Sequence, residues 1–63
     1  MQPIIARQKE LKAYFYAQGD HKQKLVTYTD DAVLVNKQIV AEYSGTGEMV
    51  WVDKDLEKAI KGE

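Results

Sequence analysis

Apolar residues dominate the stretch from Ala32 to Val52. It reads Ala-Val-Leu-Val, Asn36-Lys37, Gln-Ile-Val-Ala-Glu-Tyr, Ser44-Gly45-Thr46-Gly47, Glu-Met-Val-Trp-Val. Runs rich in β-branched and aromatic residues, bounded by turn residues, predict strands. Asn tolerates positive φ, so Asn36-Lys37 predicts a two-residue hairpin turn. Residues facing one another across that turn share a side of the sheet. In a regular ladder one face then holds Ala32, Leu34, Ile39, Ala41 and Tyr43. The other holds Val33, Val35 and Val40, rimmed by Asp31, Gln38 and Glu42. Met49 and Trp51 join one face, Val50 and Val52 the other. A sheet apolar on both faces needs cover on both sides.

The flanking segments predict helices. Asp53 is a good N-cap, Asp55 and Glu57 suit the first turn, Lys58 and Lys61 the last, and Gly62 the C′ position. Leu56, Ala59 and Ile60 form one narrow apolar stripe, so this short helix needs the sheet to dock on. Over residues 3–18, Pro3 suits a first turn and Gly19 a C′ position, with strong helix formers between them. Ile4, Leu11, Tyr14 and Phe15 share a stripe flanked by Arg7 and Gln8. The same segment also reads as strand, because Lys12 to Gln18 alternates. The expected fold is therefore α+β: an N-terminal helix, a four-stranded antiparallel meander starting near Lys24, and a short C-terminal helix. The alternative is a small SH3-like all-β barrel with a C-terminal helix, similar in strand count alone.

Size limits what covers the sheet. Residues 1–63 are expected to form one small domain. A chain of this length buries roughly 60% of its unfolded surface. Cysteine is absent, which removes disulfides and thiolate chemistry and favours a reducing, cytoplasmic setting. The first residues do not read as a signal peptide, and no run is long enough to span a membrane.

Chemistry is sparse. One His (His21) and one Ser (Ser44) carry no surrounding motif, so no catalytic residue is expected and the reading is non-enzymatic. Asp53-Lys-Asp55-Leu-Glu57 opens like a calcium loop, but Lys58 stands where the loop needs Gly. Gly45-Thr46-Gly47 lacks the third glycine and the helix of a dinucleotide fingerprint. Neither a metal nor a cofactor is expected. Charge is uneven, however. Residues 1–25 carry five cations against Glu10 and Asp20, and residues 26–63 carry four against eight acids.

Two functional readings follow. The first is an interaction or regulatory protein, a homodimer or one with a protein partner, using an uncovered apolar face at Val33, Val35, Val40 and Trp51. The second is a single-stranded nucleic-acid module. In it Lys12, Lys22 and Lys24 meet phosphates and Tyr14 and Tyr16 stack bases, within a basic and aromatic run that includes His21.

Overall fold

Pro3 opens helix α1 (Pro3–Gln18), where a missing amide proton costs nothing and the ring pre-sets φ. The computed structural model describes residues 2–62. Gly19 ends α1 in the left-handed region, φ 80°. Its N–H donates to the Tyr16 carbonyl and that of Asp20 to the Phe15 carbonyl, both at 3.1 Å. This paired closure satisfies two carbonyls that a helix end leaves open. Residues 3–18 are thus helical, and the SH3-like barrel alternative is set aside.

Four strands follow: β1 (Val26–Tyr28), β2 (Ala32–Val35), β3 (Gln38–Tyr43) and β4 (Met49–Trp51). They pair antiparallel in the order β1-β2-β3-β4. Asn36 and Lys37 both take positive φ, 51° and 69°, as the predicted hairpin turn requires. Helix α2 (Lys54–Lys61) starts at Asp53, whose carboxylate accepts the Leu56 N–H at 3.1 Å. Along α2, Glu57 accepts from Lys61 at 2.8 Å, and this hydrogen bond is the main reason its carboxyl sits below the usual carboxylate range. The α+β meander expected from the sequence is the fold observed.

The ladder is not regular, and this changes which residues face the helices. Val35 pairs with Gln38 and Leu34 with Ile39, but Val33 pairs with Ala41 and Ala32 with Glu42. Val40 is the extra residue of a β-bulge. Val40 and Ala41 are both buried, whereas a regular ladder would send them to opposite faces. The bulge also frees the Val40 carbonyl to accept two N–H groups, from Val52 at 2.8 Å and Asp53 at 3.1 Å. One distortion therefore buries two side chains and fixes where β4 ends and α2 begins.

A single core lies between α1 and the sheet. Ile4, Leu11 and Phe15 of α1 pack with Val26, Val33, Val35, Val40, Ala41 and Trp51. Leu56 and Ile60 of α2 pack against the same cluster. Arg7 interrupts the apolar stripe of α1 for a visible reason. Its guanidinium lies 4.4 Å from the Trp51 ring centroid, a cation–π contact. Its aliphatic stem can then lie along apolar surface.

Leu11 has no exposed surface. Leu11→Ala is expected to cost about 2–4 kcal/mol through lost burial and a cavity. That is most of the few kcal/mol available to a domain of this size. Urea unfolding followed by circular dichroism should show the loss, while exposed Lys9→Ala should stay within about 0.5 kcal/mol of wild type.

Candidate functional site

The packing of α1 settles what happens to the expected contact surface. Val33 is 0% exposed and Val40 4%, and Val35 and Trp51 are buried beside them. All four lie in the chain's own core, against α1. The reading that placed a contact surface at Val33, Val35, Val40 and Trp51 is corrected: these side chains are already covered. The physical reason is that α1 packs on their face, and the bulge adds Ala41 to it.

The opposite face is the open one. Register places Thr27, Leu34 and Ile39 in one row across it, with Ala32, Glu42 and Val50 in the next; of these Ala32 is buried. Ile39 is 46% exposed, Val50 51%, and Val52, which continues the alternation past β4, 48%. Leu34 is half-buried. Antiparallel sheets commonly turn polar residues to water on their solvent side. Here the solvent side is mostly aliphatic, with Glu42 and Thr27 as its polar members. Both helices contribute to the single core on the other side, so neither screens this face.

A second feature lies at the C-terminal end of α1. Lys12, Phe15 and Tyr16 of the helix meet His21, Lys22, Lys24 and Leu25 of the following loop around a cleft of about 320 Å³. Lys12 and Tyr16 are four residues apart, so they share a helix face. The Tyr16 and His21 rings stack, with centroids 4.4 Å apart and planes 27° apart. Tyr16 is still 70% exposed. Four of the five residues proposed for nucleic-acid contact are therefore brought together: Lys12, Tyr16, Lys22 and Lys24. Tyr14 is not. It is half-buried, edge-on to Phe15 with centroids at 5.3 Å, and packed on the core. The strand reading grouped Tyr14 with Tyr16, and the helix separates them.

The loop carrying this cleft is tied down by the hairpin turn. Asn36 Oδ1 accepts the Leu25 N–H at 2.9 Å, and Asn36 Nδ2 donates to the Gln23 carbonyl at 3.1 Å. The Asn36 N–H donates to the Leu25 carbonyl at 2.9 Å. Asn36 thus holds the turn and the loop at once. Sequence reading found its turn role and missed the loop contacts, which link positions far apart along the chain.

The remaining candidates stay apart. The β3–β4 connection that carries Ser44 lies at the other end of the sheet from the Asn36 turn and the His21 loop. Ser44 Oγ is engaged with Thr46 Oγ1 at 2.7 Å. Among the described residues no group of three or more His, Cys, Asp or Glu side chains could hold a metal ion. A larger cleft of about 450 Å³ runs beside Arg7, but Glu10 and Glu48 line it with that single cation and offset its charge. None of the described helices is long and apolar enough to cross a membrane. Comparison with known proteins finds no matching family, curated protein or solved structure.

Asn36→Gly keeps easy access to positive φ and removes both side-chain bonds to the loop. It is expected to lower stability by about 1–2 kcal/mol and to speed hydrogen exchange of the Leu25 amide. Asn36→Ala should cost roughly 1 kcal/mol more, because alanine resists positive φ. An unchanged Leu25 exchange rate in Asn36→Gly would show that the side chain does not hold the loop.

Proposed function

We propose that the chain is a small non-enzymatic interaction protein that docks through the outer sheet face, and that the occupant is a second copy of itself. The observation that carries this reading is the open aliphatic surface of Ile39, Val50 and Val52, beside half-buried Leu34, on a sheet whose helices pack on its other side. Contiguous apolar surface of this kind is unfavourable in water and commonly marks a contact site.

A second copy is the simplest occupant. Two identical faces offer aliphatic side chains to aliphatic side chains, and two sheets stack about 10 Å apart. The product is a helix–sheet–sheet–helix sandwich with two-fold symmetry, the commonest oligomer geometry. The strands are short, three to six residues, so the interface is small. It should bury roughly 600–1,000 Å² in total, below the standard size for a stable complex. Association is accordingly weak, with a Kd in the micromolar range or above. Glu42 on the same face further opposes it, since a buried charge without a partner is costly. The cysteine-free composition supports a reducing, cytoplasmic setting for this role.

Sedimentation velocity across a concentration series tests the reading. Wild type is expected to shift from monomer towards dimer as concentration rises. Ile39→Asp and Val50→Asp should abolish the shift while keeping the wild-type circular dichroism spectrum. Glu42→Gln should tighten association. Val40→Asp should instead unfold the monomer, because it places a charge in the core. A wild type that stays monomeric at millimolar concentration, or a dimer untouched by Ile39→Asp, would contradict the proposal.

A further inference from the structure

The cleft at the end of α1 is independent of the outer sheet face and has its own chemistry. Lys12 comes from the helix, and Lys22 and Lys24 from the loop that Asn36 braces. Among the described residues, no carboxylate forms an ion pair with any of the three. Asp20, the acid of the same loop, does not line the cleft. The cationic surplus of residues 1–25 is therefore presented here as a local positive surface on a chain whose net charge is −1. Phe15 and Val26 form a buried apolar floor. Above it stand the stacked Tyr16 and His21 rings and the exposed Leu25 side chain.

We propose that this cleft binds single-stranded nucleic acid, with one base stacked on the Tyr16–His21 pair and the flanking phosphates on Lys12, Lys22 and Lys24. A free anion would use the lysines and leave the aromatic platform without a role. A flat apolar ligand would use the platform and leave the lysines without one. A nucleotide in a strand uses both, because it carries a π-face and a phosphate on each side. The cleft volume of about 320 Å³ is at the small end of ligand sites, room for a single splayed base. A duplex keeps its bases stacked on one another and has none to offer the platform. Affinity is modest, since only three cations contribute.

Fluorescence anisotropy with a labelled ten-nucleotide oligothymidylate, in 20–200 mM salt, tests the assignment. Log affinity against log salt is expected to have a slope near −2, from about 0.7 per phosphate over three contacts. Lys22→Glu combined with Lys24→Glu should weaken low-salt binding by at least about 10-fold and flatten the slope. Tyr16→Ala should weaken it by about 5-fold or more with the slope unchanged, the signature of a lost stacking contact. Lys9→Glu, a cation of the same helix outside the cleft, should stay within about 2-fold of wild type, and a duplex of equal length should bind more weakly. Wild-type affinity in Lys22→Glu/Lys24→Glu would overturn the assignment. So would equal weakening by Lys9→Glu, or binding to phosphatidylserine vesicles with none to the oligonucleotide. Circular dichroism of each variant separates these outcomes from misfolding; Lys9, Tyr16 and Lys22 are exposed and Lys24 is half-buried.

Discussion

A sheet that is apolar on both faces, in a chain with one layer of helix to offer, is the constraint on which the rest of the structure depends. The hydrophobic effect is indifferent to which face is covered and is roughly proportional to apolar area removed from water. Helix α1 is long enough to lie across β1, β2 and β4 on one side. Helix α2 is eight residues long and has no buried residue of its own, so it extends that same core and forms no second layer. The bulge at Val40 strengthens the choice. By turning both Val40 and Ala41 inward it concentrates small, dry side chains under α1. Ile39, Leu34 and Val50 are left on the other side.

The bulge also sets the path of the chain from β4 into α2. Its freed carbonyl receives the Val52 and Asp53 amides. This stops β4 and sets the N-cap of α2 where Leu56 reaches the core. Close by, at the turn of the same hairpin, Asn36 fixes the loop that bears Lys22 and Lys24. The hairpin β2–β3 therefore positions the open face, the start of α2 and the cationic cleft, although it contributes no titratable group to that cleft.

Much of this was legible from residue types. Pro3 and Gly19 bound α1, Asp53 and Gly62 bound α2, and Asn36-Lys37 makes the turn, because each position needs a backbone geometry or a cap that few residues supply. The bulge was not legible. Ile39, Val40 and Ala41 are all apolar, so no change in polarity marks the slip, and no glycine announces it. One unmarked residue carried Ala41 from the face of Leu34 and Ile39 to that of Val33, and the packing of α1 on the Val33 face moved the expected contact surface from Val33, Val35 and Val40 to Leu34, Ile39 and Val50. The cationic cleft was half legible. Its lysines and Tyr16 were recognised as a group, but Tyr14 was included because a strand and a helix group neighbours differently. The bracing by Asn36 is a long-range contact that no local pattern encodes.

The central claim is that the chain keeps one face of its sheet dry by itself and relies on a second copy for the other. Methyl-selective NMR with a soluble paramagnetic probe measures this directly, residue by residue. Val33, Val35 and Val40 methyl signals should resist the probe at every protein concentration. Those of Ile39 and Val50 should be strongly attenuated in dilute solution, that of half-buried Leu34 less so, and all three progressively protected as concentration rises. Protection of Ile39 and Val50 in dilute monomer, or attenuation that never changes with concentration, would contradict it.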